Sequence, residues 1–214
     1  MKTNYKNDYQ LVFSILSQHH HKTMLEQLSQ YSVFQQLIAT MLSSRTKDTT
    51  TIPLVKKLFE KYKTPQDFLN AKISVLEKEL YGIGFYRVKA RNIPQLSRMI
   101  IDKYQCIVPD TLEELTSLSG VGRKTANCML NYAFHKPAIA VDVHVHRLSN
   151  RLGWVKTNTP EETELKLVKI LPQELWISVN ELLVDYGQRI CLPRKPKCGE
   201  CPVRKYCEFG KRDE

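Results

Sequence analysis

The sequence contains no run of 18 apolar residues, so it offers no segment suited to cross a membrane as a helix. Its first ten residues, Met1 to Gln10, are polar and lack the apolar stretch of a secretory signal. The protein is therefore expected inside the cell, without membrane contact. A convincing strand pattern is missing as well: the alternation over residues 139–145 is brief and leads into a helix-like run. Low-complexity sequence is absent apart from His19-His20-His21. Adjacent positions on a helix point in different directions, so this triplet reads as a solvated surface run rather than a metal site. Acidic residues are in deficit, 22 against 32 Lys and Arg, for a net charge of +10. That excess favours a polyanionic partner such as nucleic acid but is equally compatible with a basic enzyme of another kind.

Helical periodicity fills the space that strands leave. The 214 residues, 42% hydrophobic, are enough for one large domain or two small ones with a real core. Phe34, Leu37, Ile38, Met41 and Leu42 fall on one helical face. Leu54, Val55, Leu58 and Phe59 repeat the pattern, with Pro53 tolerated near the helix start. Residues 161–170 and 175–186 read the same way, and Pro94 either kinks or breaks a helix over 86–104. The fold class is expected to be all-α.

Two Gly-x-Gly turns, Gly82-Ile83-Gly84 and Gly120-Val121-Gly122, each precede a basic helix. The second has the fuller context. Thr111 with Glu114, or Asp110 with Glu113, can form a capping box that starts a short helix ending at Leu118. After the turn, Ala126, Met129, Leu130 and Ala133 give the next helix an apolar face. Two helices joined by a glycine-rich turn make a helix–hairpin–helix. Glycines let the backbone approach a phosphate closely, and the free amides of the second helix carry partial positive charge. Gly120, Val121, Gly122 and Arg123 are accordingly candidate DNA-backbone contacts, which would position the protein without reading sequence.

Lys124 lies beside that turn. It reads either as one more phosphate contact or as a nucleophile whose amine forms a Schiff base with a sugar, once neighbouring cations and desolvation lower its pKa. Further along the chain, Asp142 stands among Ile139, Ala140, Val141 and Val143. A carboxylate buried among them would need a compensating role, either capping the following helix or transferring a proton and stabilising a cationic sugar.

Cys106 and Cys128 stand alone, whereas Cys191, Cys198, Cys201 and Cys207 crowd together in the pattern C-x6-C-x2-C-x5-C. In an intracellular protein this suggests metal rather than disulfides, and four thiolates suit either zinc or a [4Fe–4S] cluster. Residues 192–197 hold two prolines and three cations but little apolar periodicity, so this tail needs a metal staple to fold. Arg194, Lys195 and Lys197 on that loop read as a second phosphate clamp or as solvated loop charges.

The string Leu118-Ser119-Gly120-Val121-Gly122-Arg123-Lys124-Thr125-Ala126-Asn127, followed by Val141-Asp142-Val143-His144, resembles the endonuclease III family, and the resemblance runs from about residue 34 to 207. It implies a base-excision-repair DNA glycosylase with AP lyase activity, acting on double-stranded DNA that contains damaged pyrimidines or abasic sites, and working as a monomer in the cytoplasm or nucleoid of a prokaryote, or in the nucleus otherwise. It places Lys124 as Schiff-base nucleophile and Asp142 as its essential partner. It assigns the four cysteines to a [4Fe–4S] cluster. It also implies two loops that enter the duplex when the damaged nucleotide is flipped out, one bearing Arg45, where many members carry glutamine, and one bearing Phe85, where a smaller aliphatic residue is frequent; from the residues alone Phe85 reads equally as a core aromatic. The family's two lobes imply a six-helix lobe over 26–136 with the hairpin, and a cluster lobe from 1–25 and 137–214.

Other classes remain to be weighed: a monofunctional mismatch or uracil-type glycosylase, a non-catalytic DNA-binding iron–sulfur protein, and a small electron carrier. Monofunctional relatives lack the hairpin lysine. Adenine-excising relatives usually continue into a further domain, whereas this sequence ends shortly after Cys207, at Glu214. The pair Lys124 and Asp142 speaks against a mere binder, and the long helical body before the cysteines against a carrier.

Overall fold

The structure, a computed structural model, describes residues 8–210; most of the polar N-terminal stretch, residues 1–7, and the last four residues lie outside the described part. Eleven α-helices and short 3-10 turns occur among the described residues, with no strand. None of those helices is long and apolar enough to cross a membrane. The chain divides into two compact units, Met24–Lys136 and Met1–Thr23 with Pro137–Glu214.

Met24–Lys136 holds α2 (Val33–Ser43), α3 (Asp48–Lys61), α4 (Pro65–Asn70), α5 (Ile73–Glu79), α6 (Tyr86–Tyr104), α7 (Leu112–Ser117) and α8 (Arg123–Tyr132). That is seven helices where the family resemblance implied six, two of them, α4 and α5, having only six and seven residues. Helix α2 begins at a capping box in which Ser32 and Gln35 exchange hydrogen bonds, satisfying two otherwise orphaned amides. Thr64 and Asp67 do the same for α4. Pro53 lies inside α3 rather than at its start, so the carbonyl of Thr49 loses its usual donor. Pro94 does not break α6, which runs 19 residues through it. Helices α4 and α5 pack on α6, and α2 packs on α3 and α8. Leu37, Ile38, Phe68, Leu76, Leu80, Ile93, Leu96, Ile100, Leu115 and Met129 are fully buried. Each such side chain contributes roughly 1.5–3 kcal/mol of transfer free energy.

The second unit contains α1 (Tyr9–Ser17), α9 (Val143–Leu152), α10 (Pro160–Ile170) and α11 (Trp176–Arg189). Val12, Phe13 and Leu16 of α1 share a core with Val145, Leu148 and Leu152 of α9, Leu167 of α10, and Val179, Leu183 and Tyr186 of α11. Gly187 lets α9 come close: a Cβ there would stand 2.7 Å from the Cβ of His144. The histidine triplet is neither helical nor merely solvated. The His21 amide donates to Asp185 at 3.0 Å, and His20 Nδ1 lies 3.5 Å from the same carboxylate. Arg189 donates to the His19 carbonyl as well as to Asp185. The short-range pattern of three histidines carried no sign of a partner 164 residues away.

Candidate active site

Helix α7 starts at Thr111, whose hydroxyl accepts the Glu114 amide at 3.3 Å and donates to the Glu114 carboxylate at 2.8 Å. Leu115, Leu118 and Val121 are buried and anchor the turn from beneath. Gly120 has φ +79 and a Cβ there would stand 2.7 Å from the Asn92 side chain, so this position requires glycine. Gly122 is different. It caps α8 with φ −89, and a Cβ would meet nothing within 4 Å. Nothing in the protein itself demands glycine at Gly122, and the open space beside the first amides of α8 suits an external anion. The Val121 side chain is in the core, and its amide donates to the Leu118 carbonyl at 3.1 Å. Arg123 is exposed and Lys124 half-buried, both in the first turn of α8.

Asp142 is the N-cap of α9, and its Oδ1 accepts the amides of His144 at 2.8 Å and Val145 at 2.9 Å. It is half-buried rather than enclosed by its apolar neighbours. Ile139, Ala140 and Val141 turn into the core while Val143 is 65% exposed, because a cap residue lies where the chain leaves the interior. The second carboxylate oxygen makes no hydrogen bond among the described residues. The cap thus orients Asp142 and leaves one oxygen for chemistry. Lys124 and Asp142 belong to different units of the chain.

Arg45 and Phe85, far apart in sequence, come together: the guanidinium lies 5.3 Å over the ring. Both have left-handed backbones, φ 55 and 57, conformations that non-glycine residues adopt only when the surroundings hold them there. Phe85 is 60% exposed, so it is not a core aromatic. The pair borders a cavity of about 350 Å³ whose lining includes Met41, Lys89, Asn92 and Gly120 of the hairpin turn.

The four clustered cysteines are brought together as the walls of one cavity with Ile190, Pro196 and Phe209. Four thiols lining one cavity suit a polynuclear cluster. Burial pushes the Cys201 thiol up to about 11 and raises that of Cys207, so only a bound cation would hold them as thiolates at neutral pH. Cys106 and Cys128 take no part. Arg194, Lys195 and Lys197 are exposed on the loop, and Lys197 lies 3.7 Å from the Glu200 carboxylate.

Several residues that hold these features in place gave no clear signal in the sequence. Arg151 donates to Cys191 Sγ at 3.2 Å and to the carbonyls of Leu192 and Pro193, and Arg147 donates to the Cys191 carbonyl at 3.0 Å. Their spacing on α9 places both on one face, a pattern that looks like ordinary surface charge. Lys89 is 6% exposed and falls on the stripe that continues through Ile93, Leu96 and Ile100. Its register with that apolar stripe is the one signal that could have marked it as inward-pointing.

Residues 38–173 match the family model described as HhH-GPD superfamily base excision DNA repair protein. Residues 191–207 match the iron-sulfur binding domain of endonuclease III. With the hairpin and the thiol-lined cavity, these matches make the chain a helix–hairpin–helix base-excision repair protein with an iron–sulfur domain. Over 179 residues it is 54% identical to Endonuclease III of Thermotoga maritima, 84% of each chain being covered. Over 183 residues it is 42% identical to Endonuclease III of Bacillus subtilis, covering 85% of this chain and 84% of that one. A solved structure of a non-covalent Endonuclease III–DNA complex is similar with a TM-score of 0.88, 38% identity and 97% of each chain covered. A trapped covalent intermediate of Endonuclease III with DNA is similar with a TM-score of 0.87 and 37% identity, covering 97% of this chain and 98% of that one. The chain belongs to the endonuclease III family, and its cofactor is a [4Fe–4S] cluster.

Proposed function

We propose that Lys124 is the Schiff-base nucleophile, and Asp142 its acid–base partner, of a bifunctional DNA glycosylase and AP lyase. The chain is a base-excision-repair enzyme of this kind, and the substrates we assign to it are damaged pyrimidines and abasic sites in duplex DNA. The neutral Lys124 amine attacks the sugar's C1′ as the C1′–N bond to the base breaks, and the departing base takes a proton. Asp142, through the oxygen its cap leaves unused, accepts a proton from the lysine nitrogen and balances positive charge on the sugar. That proton passes to the ring oxygen O4′, the C1′–O4′ bond breaks as the C1′=N iminium forms, and the iminium acidifies the C2′ proton. Its loss expels the 3′ phosphate by β-elimination, and water releases the lysine.

The observation that carries this reading is the hairpin. Lys124 stands in the first turn of a helix whose free amides and glycine cap leave room for a phosphate, so a sugar next to that phosphate is within the lysine's region of action. Arg123 and the field of the helix N-terminus favour the neutral amine. The exposed Arg45 and Phe85 are suited to fill the gap left by the flipped nucleotide, and Arg194, Lys195 and Lys197 to hold backbone phosphates away from the reaction. Cys191, Cys198, Cys201 and Cys207 would hold the cluster, which when bound supplies cross-linking of the loop and a one-electron redox centre. Reactive thiols kept for metal accord with a protein working inside the cell, and we assign it, as a monomer, to nucleoid or nuclear DNA.

Borohydride trapping on duplex DNA with an oxidised pyrimidine or an abasic site tests the assignment. The protein should form a covalent adduct, and Lys124→Ala should lose it while keeping DNA affinity. Asp142→Asn should keep its helix cap, changing stability by less than about 1 kcal/mol, since Asn caps as well as Asp, yet slow excision at least 100-fold. An adduct that survives Lys124→Ala would overturn the assignment of the nucleophile.

A further inference from the structure

Lys89 is a buried cation that the chemistry above does not use. It stands in the first turn of α6, where the helix field disfavours positive charge, and it is 6% exposed. Among the described residues no carboxylate pairs with it, and burial pushes its ammonium down to about 8. Its Nζ instead donates to the carbonyls of Leu42 at 2.9 Å and Ser44 at 2.6 Å. These are carbonyls at the C-terminal end of α2, which have no donors within the helix and carry partial negative charge. A lone buried charge is costly to keep, so its placement calls for a gain elsewhere.

That gain lies in the segment it holds. Directly after Ser44 comes Arg45 in its left-handed conformation, and shortly before Lys89 stands Phe85 in the same conformation. Two further ties join the same segments. The Gly84 amide donates to Thr46 Oγ1 at 3.0 Å, and Gly84 packs so tightly that a Cβ would stand 2.3 Å from the Arg45 carbonyl oxygen. With the ammonium, three contacts therefore join chain segments that are remote in sequence. Their product is the Arg45–Phe85 stack at the rim of the cavity that reaches Gly120 of the hairpin. Arg45 is the other charged residue lining that cavity and would, unrestrained, be repelled by Lys89. The Leu42 and Ser44 carbonyls hold Lys89 in place against that repulsion.

We propose that Lys89 is a positioning residue that locks the Ser44–Thr46 and Gly82–Phe85 loops together, so that Arg45 and Phe85 enter the duplex as one preformed wedge. The idea rests on the reading of the chain as a base-flipping glycosylase. Lys89 touches neither substrate nor cofactor in this scheme. It acts through the two side chains whose backbones it restrains, lowering the cost of organising them on DNA.

A double-mutant cycle on the cluster-loaded, full-length protein tests it, with single-turnover excision of an oxidised pyrimidine from duplex DNA as the readout. Lys89→Met and Phe85→Ala should each slow excision about tenfold or more, and the double variant should be no slower than the slower single. Lys89→Arg, which keeps a cationic donor, should recover most of the loss. A merely structural lysine predicts instead that the two losses multiply, and that result would overturn the proposal, as would a Lys89→Met protein with unchanged excision. If Lys89→Met fails to fold by circular dichroism, Lys89→Gln, which retains an N–H donor, takes its place in the same cycle. Borohydride trapping of the parent protein separates the two levels: without an adduct the functional reading fails, whereas an adduct together with multiplying losses defeats only the role given to Lys89.

Discussion

The hairpin of residues 112–132 and the cysteine loop of residues 190–210 both present cations and backbone at a surface, and they are made rigid by opposite means. Beneath the hairpin turn lie Leu115, Leu118, Val121, Ala126 and Met129, all buried. The cysteine loop buries only Val203 and Tyr206 among its apolar residues. It relies on thiols around a cavity and on the guanidinium groups of Arg147 and Arg151, which satisfy its carbonyls. An apolar anchor is part of the fold and present whenever the helices pack. A loop anchored by thiols and polar contacts is complete only when its cofactor is bound.

The largest effect should follow from breaking the second kind of anchor. Cys198→Ala should remove the absorbance near 400 nm expected of the cluster and open residues 190–210 to proteolysis, while the helical signal of the remaining chain persists. A loop that stays protease-resistant without the absorbance would erase the contrast. Next in size is Leu115→Ala, which deletes a fully buried side chain under the hairpin. It should cost about 2–5 kcal/mol in denaturant unfolding, with the cluster absorbance retained in the folded protein. The smallest effect sharpens the comparison at the surface. Lys197→Ala removes an exposed pair with Glu200 at 3.7 Å, so stability should shift by less than about 0.5 kcal/mol. If the loop clamps phosphate, the salt dependence of duplex binding should still become shallower, by up to about one unit in its logarithmic slope. An unchanged slope would reduce Lys197 to a solvated charge.

Much of this arrangement was legible along the chain because its signals are local. The helices over 34–42 and 161–170 announce themselves through side chains three and four positions apart. The hairpin is a short glycine turn between two short helices, and the four clustered cysteines all fall between positions 191 and 207. Helices α4 and α5 escaped because one or two turns do not establish a period. The His20–Asp185 contact and the Lys89–Ser44 bond escaped because each joins partners remote along the chain. No composition rule links residues at such separations.

At the candidate site the division is sharper. Asp142 was recognisable as a residue with a role, but its apolar neighbours in sequence suggested burial. The structure shows a half-buried cap with one oxygen used, because consecutive residues at a helix start turn to different sides. Phe85 was undecided between core and surface until α6 was seen to begin just after it and point the ring outward.

By itself the sequence determined the helical class, the hairpin and the four-thiol set, since each is written in residue types a few positions apart, whereas Lys124 stood between phosphate contact and nucleophile until the family resemblance assigned it. Only the tertiary structure decided that Arg45 stacks on Phe85, that Lys89 turns inward to close α2, and that Arg151 reaches a cluster cysteine. Those contacts depend on how distant helices pack. Packing is settled by the sum of many apolar burials, and no single stretch of chain contains that sum.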